Sequence, residues 1–197
     1  MNTPPIPAAL ETAHPVEVVR WVADHVALDG IVVTASFEDA VLVHVANTAA
    51  PGIEVVLLDT QYLFAETQWF AEELRRTLDL NLRVEHPEVA PDNRWQTDTT
   101  DCCDVRKVQP LARALKGKQA WITGVRRADG PTRADAPVAA FDVGRNLLKV
   151  NPLATFTDAD MALYARLHDT LDYIYARNPR DNLIMLISNG TALSEAH

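Results

Sequence analysis

The stretch Ile31-Val32-Val33-Thr34-Ala35-Ser36-Phe37-Glu38-Asp39 decides the fold. Its β-branched start is a strand signal, and the polar residues that follow break the run before a helix-like stretch from Ala40 to Ala50. The same order recurs downstream. Ile53 to Leu58 is apolar but for Glu54, Asp59-Thr60 ends it, and Glu66 to Leu78 has helical spacing with Trp69, Phe70, Leu74 and Leu78 expected to face inward. A strand without polar alternation is buried on both faces, as in a parallel sheet covered by helices.

Working outward, Pro15 to Leu28 is predicted as a helix stopped by Gly30, and Leu82 to Glu85 as a third strand. His86 to Asp101 is polar and irregular, and long loops of this kind carry function. Val105 to Leu115 is predicted as a helix, Ala120 to Thr123 as a strand, and Gly124 to Ala136 as a basic loop broken by Gly130 and Pro131. Val138 to Phe141 and Leu147 to Val150 form a hairpin around Gly144, and Thr157 to Asp160 is a capping box opening a helix through Leu167. Alternating strands and helices imply a single-domain α/β fold, a Rossmann-like parallel sheet with right-handed crossovers. Ligand-binding loops then lie at the carboxyl ends of the strands.

A chain of 197 residues, 48% hydrophobic and 23% charged, buries a core and lies far from the composition of disorder. A net charge of -9 disfavours nucleic acid and anionic membranes as partners. Apolar runs such as Ile53 to Leu58 and Leu183 to Ile187 fall far short of the roughly 20 residues that cross a bilayer. Met1 to Leu10 lacks the pattern of a secretory signal, so a cytoplasmic location is expected. The 2 cysteines are adjacent, Cys102 and Cys103, which points to a metal or redox role rather than a secreted disulfide framework.

Several residue groups suit an anionic ligand. Ser36 at a strand-to-helix turn either binds an anion or caps the helix. Asp59 and Thr60 either turn the chain or hold a ligand. In an acidic protein, Lys107, Arg126, Arg127 and Arg133 gather in two later loops, where they either bind phosphate-like oxygens or pair with Asp101, Asp104, Asp129 and Asp135. Cys102 and Cys103 are either metal ligands or two small buried side chains at a helix start.

Five segments, in order and spacing, resemble the sulfonucleotide reductases, the adenylyl-sulfate and phosphoadenylyl-sulfate reductases. They are Ala35-Ser36-Phe37-Glu38-Asp39-Ala40-Val41-Leu42, Leu57-Leu58-Asp59-Thr60-Gln61-Tyr62-Leu63-Phe64-Ala65-Glu66-Thr67, Cys102-Cys103-Asp104-Val105-Arg106-Lys107-Val108, Ala120-Trp121-Ile122-Thr123-Gly124-Val125-Arg126-Arg127, and Lys149-Val150-Asn151-Pro152-Leu153 leading to Phe156-Thr157-Asp158-Ala159-Asp160. The resemblance implies an ATP-pyrophosphatase-like adenine-nucleotide fold. It places substrate at Ser36, Phe37, Asp59, Thr60, Lys107, Gly124, Arg126, Arg127 and Arg133. It also implies adenylyl sulfate as substrate, thioredoxin as reductant, and Cys102 and Cys103 as half of the ligands of a 4Fe-4S cluster.

The family's downstream C-x-x-C pair and its C-terminal E-C-G-x-H nucleophile have no counterpart among these residues. Residues 1–169 are therefore expected to form the nucleotide-binding domain, and 170–197 a divergent tail, with the cluster labile or absent and the activity of the chain open. A noncatalytic sulfonucleotide-binding relative is the alternative. An ATP pyrophosphatase ranks below both, because Thr34 to Asp39 lacks the glycine-rich S-G-G-x-D-S loop. Homo-oligomer formation is left open.

Overall fold

Strands form where the sequence alternates between two buried faces. In the computed structural model, which describes residues 5–168 and Leu171, β1 is Ile31–Ala35, β2 Glu54–Leu58, β3 Asn81–Glu85, β4 Ala120–Thr123, β5 Ala139–Asp142 and β6 Leu147–Val150. Expectations for the rest of the tail, including Leu183 to Ile187, lie outside the described residues. The strands make one 6-stranded sheet in the order β3-β2-β1-β4-β6-β5, parallel except for β5 against β6. Val33 pairs with Val55 on one side and Ile122 on the other, so the centre of the sheet is β-branched across three strands.

The two faces separate residue by residue, as the period of two requires. Ile31, Val33, Val55, Leu57, Ile122 and Val150 enter the larger core, and Val32, Val56, Trp121 and Leu147 the smaller one on the opposite face. The larger core is covered by α1 (Pro15–His25), α2 (Val41–Ala49) and α3 (Ala65–Thr77), which contribute Val18, Val19, Val22, Val43, Phe70 and Leu74. Short helices α4 (Arg94–Thr97) and α5 (Thr99–Cys103) interrupt the long loop after β3, and α6 (Gln109–Leu115) covers the smaller core with Ala114 and Leu115. The last described helix, α7 (Asp158–Leu167), opens on the expected capping box: Asp160 N donates to Thr157 Oγ1 at 3.2 Å, and Thr157 N donates to Asp160 Oδ2 at 2.8 Å.

Two local expectations are corrected. Trp69 is 47% exposed, because the buried stripe of α3 runs through Thr67, Phe70, Ala71 and Leu74, and Trp69 lies about 150° around the helix from its centre. The helix expected from Val105 to Leu115 instead begins as a π-turn, Asp104–Val108, in which Gln109 N donates to Asp104 O. Pro110 follows without an N–H for the carbonyl of Arg106, so the ordinary ladder is broken at that point.

α2 and α7 meet through an aromatic and imidazole cluster. His44 Nδ1 lies 3.0 Å from the Tyr164 hydroxyl, and the His44 and His168 ring centres are 4.6 Å apart. Burial, reinforced by His168, pulls the His44 pKa from 6.5 to about 4. The unfolded chain therefore binds the proton more readily, and this part of the stability is present above pH 6.5 and lost as pH falls toward about 4. His44→Gln is expected to remove about 1–2 kcal/mol of that pH dependence, allowing for solvent screening, because its amide keeps a partner for Tyr164 but cannot titrate. Urea unfolding of both proteins near pH 7.5 and near pH 4.5 measures it; equal slopes with pH would contradict it.

Candidate functional site

The chain leaves β1 toward β2 on one side, whereas β4 begins the other half of the sheet. At such a topological switch the loops beyond the strands' carboxyl ends diverge and leave a crevice. Residues 36–40 after β1 and 124–136 after β4 border it, and residues 59–64 after β2 lie beside the first.

The loop after β1 answers the question of which side chain caps α2. Asp39 Oδ1 accepts from Val41 N at 2.7 Å, and the Ser36 hydroxyl is exposed without a hydrogen-bond partner among the described residues. Phe37 adopts a left-handed backbone, φ 57°, with its side chain in the core, so what it offers the crevice is its main chain. Bulky side chains avoid this region, and such strain collects at functional loops. Gln61 after β2 is also left-handed, at φ 68°.

After β2, Asp59 and Thr60 close a tight turn: Asp59 Oδ1 accepts from Gln61 N at 2.7 Å, and Thr60 Oγ1 from Tyr62 N at 3.4 Å. The second Asp59 oxygen lies 3.4 Å from His86 Nδ1. Both residues turn the chain at the rim of the crevice, which is compatible with ligand contact through Thr60, the less buried of the two.

The arginines divide. Arg126 pairs with Asp129 at 3.0 Å and with Asp158 at 2.8 Å, and Arg133 lies 3.5 Å from Asp129. The Glu38 carboxyl is pushed up first by burial and then by Asp39 and Asp129, with Arg133 and Arg126 opposing. Burial likewise raises Asp39. The loops after β1 and β4 follow neighbouring parallel strands, so they lie side by side at one end of the sheet. Arg126 is thus held by two carboxylates, and Arg127 is likewise committed, donating to Glu11 at 2.6 Å and to the Ala136 carbonyl at 2.8 Å. At Gly124 an added Cβ would meet Leu42 Cδ2 at 3.4 Å, an ordinary contact, so space does not demand glycine there.

Cys102 and Cys103 end α5, which Asp98 caps by accepting from Asp101 N at 3.0 Å. Cys102 is half-buried and Cys103 exposed, both as free thiols, so the reading of two buried core side chains does not apply. A cubane takes four ligands. Among the described residues no group of three or more His, Cys, Asp or Glu is placed to hold a metal, so the pair offers half a set and does not complete a cluster. Lys107, one turn on, is exposed and makes no ion pair among the described residues. The sequence pointed to Lys107 and passed over its neighbour Arg106, which is 2% exposed.

A mainly parallel α/β sheet whose loops part at a topological switch is a nucleotide-binding fold. Residues 30–174 match the phosphoadenosine phosphosulfate reductase domain, and the chain belongs to that sulfonucleotide reductase family. It is 39% identical over 165 residues to the adenosine 5'-phosphosulfate reductase of Mycolicibacterium smegmatis, covering 80% of this chain and 70% of that one. With the Streptomyces coelicolor protein of the same name it shares 37% over 171 residues, covering 82% and 72%. In fold it resembles the phosphoadenylyl-sulfate reductase of Candida auris, solved as a phosphate complex, with a TM-score of 0.67 at 20% identity over 79% of each chain. The Candida glabrata FMN adenylyltransferase shares the architecture at a TM-score of 0.53 and 12% identity, over 76% of this chain and 55% of that one. No helix among the described residues is long and apolar enough to cross a membrane.

Proposed function

We propose that residues 1–169 bind adenylyl sulfate in the switch-point crevice and form the substrate-binding part of a thioredoxin-dependent adenylyl-sulfate reductase of sulfate assimilation, acting in the cytoplasm. The observation that carries this reading is the juxtaposition of the loops after the neighbouring parallel strands β1 and β4, which brings the exposed Ser36 and Arg133 to one end of the sheet. Ser36 and the main chain at Phe37 receive the nucleotide, Asp59 and Thr60 border its ribose side, and Lys107 and Arg133 neutralise the phosphosulfate. The name shared by the curated relatives supports adenylyl sulfate as substrate.

The reaction transfers a sulfonate. A thiolate attacks the sulfur, the sulfur–oxygen bond to AMP breaks, and a dithiol such as thioredoxin's then releases sulfite and is left as a disulfide. Lysine and arginine on the departing phosphate lower the barrier by meeting the charge that develops on the leaving oxygen. Cys102 and Cys103 would supply two of the four thiolates of an iron–sulfur cluster, which leaves neither of them for attack.

A second reading, sulfonucleotide binding without turnover, is favoured for residues 1–197 tested alone, because their 2 thiols both lie in this pair. Calorimetry with adenylyl sulfate, run beside a sulfite-release assay with reduced thioredoxin, is expected to give binding without sulfite. Absence of binding would sink the assignment of the crevice. Sulfite release would reassign attack to Cys102 or Cys103 and end the noncatalytic reading.

A further inference from the structure

Arg106 is the largest of the fully buried side chains, and its guanidinium is the one buried cation among the described residues. A charge in that position must be held by partners, since an unpaired buried charge costs several kcal/mol. Its partners come from two segments distant in sequence. Nη1 donates to Gln61 Oε1 at 2.5 Å in the strained turn after β2. Nη2 donates to the Ala90 carbonyl at 3.0 Å and pairs with Asp92 Oδ1 at 3.1 Å, both in the loop after β3. The guanidinium plane lies over the Tyr62 ring, 4.7 Å from its centre. Nε alone has no partner.

The network extends toward the thiols. Asp92 also pairs with Arg94 at 2.9 Å, and Arg94 with Asp101 at 2.8 Å, the residue before Cys102. The Tyr62 hydroxyl donates to the Asp92 carbonyl and accepts from Asp92 N at 3.0 Å. Along the π-turn Val105 and Arg106 face inward and Lys107 faces solvent. Whatever fixes Arg106 fixes the orientation of Lys107 and of the turn that bears the cysteines.

We propose that Arg106 is a positioning residue, a strut that locks the cysteine turn and Lys107 onto the nucleotide-side turn after β2 through Gln61, Tyr62 and Asp92. Its part in nucleotide binding rests on the crevice reading above, whereas its hold on the cysteine turn does not. Lysine keeps the charge but lacks the planar fork needed to serve Gln61, Ala90 and Asp92 together.

Arg106→Lys is therefore expected to open the turn locally. In the metal-free full chain, the alkylation rate of half-buried Cys102 by iodoacetamide should rise about tenfold or more, with hydrogen-exchange protection of β1 and β4 unchanged. Adenylyl sulfate affinity should fall about tenfold and AMP affinity less than about threefold, since Lys107 faces the anionic tail. Gln61→Ala and Asp92→Ala each remove one anchor and are expected to raise the Cys102 rate as well, which keeps the test decisive if Arg106→Lys does not fold. A Cys102 rate within about twofold of the parent in the variants that fold, or one that rises only in step with loss of protection in the sheet, overturns the strut. Failure of the parent to bind adenylyl sulfate overturns the crevice reading, and the thiol rates still decide Arg106.

Discussion

Replacing Lys107 and Arg133 together by alanine is expected to weaken adenylyl sulfate binding about a hundredfold while changing AMP binding less than about threefold. A hydrogen bond to a charged group contributes about 1.5–3 kcal/mol when desolvated, and each 1.4 kcal/mol is about tenfold in affinity. The lower end applies, because Lys107 is exposed and the Arg133 side chain is 51% exposed. Arg133 also has to share its charge with Asp129. The single variants should each lose about tenfold, and the two effects should add, because the residues lie in separate loops and share no partner in the protein. Part of the loss should fade as salt is raised, since screening already weakens exposed pairs in the parent. Calorimetry at two ionic strengths measures this, with Arg76→Ala, an exposed α3 residue paired with Glu72, as the charge control. Equal losses for AMP and adenylyl sulfate would place these cations away from the phosphosulfate.

The fold was largely legible because its signals are local. The apolar runs of β1, β2 and β4, the capping box of α7 and the hairpin around Gly144 each depend on neighbours a few residues apart, and the structure has them where the sequence reading put them. The failures came where a long-range or geometric constraint decided. Trp69 has the composition of a core residue, and only the angular position of the α3 stripe excludes it. The π-turn could have been suspected from Pro110, whose missing N–H falls one turn after Arg106, but nothing local says which side chain the wider turn buries.

The site was legible in outline and not in detail. Which of Ser36 and Asp39 caps α2 depends on the path of the loop, and both are good caps by type. Arg126, Arg127 and Arg133 have the same chemistry and stand in one loop, yet Glu11 and Asp158, both distant in the chain, take up Arg127 and Arg126. Arg106 was hidden for the converse reason. Arginine is almost never fully buried unless paired, and its partners Gln61, Ala90 and Asp92 are brought to it by the sheet order rather than by spacing.

Shortening Ile122 to alanine is expected to cost about 3–5 kcal/mol, a large fraction of a domain's typical total of about 5–15 kcal/mol. Ile122 is fully buried in β4, paired with Val33 on one side and Val150 on the other. The loss has two sources: the missing methyl and methylene groups leave a cavity in the larger core, and alanine is a poorer strand residue at a central position. A rigid sheet flanked by helices closes such a cavity poorly, which argues for the upper half of the usual range. Ile122→Val removes one methylene and keeps the β-branch, so it should cost only about 0.5–1.5 kcal/mol. Urea unfolding should show both variants with lower midpoints and unchanged slopes. β4 runs directly into Gly124 and the arginine loop, so ligand binding checks whether the loss stays in the core. Well below the unfolding transition, adenylyl sulfate should bind the folded Ile122→Ala protein with nearly the parent affinity, since the substitution removes core volume and no polar contact. A midpoint shift for alanine no larger than that for valine would mean that the centre of the sheet relaxes around the gap, and that β4 is not the rigid support the site needs.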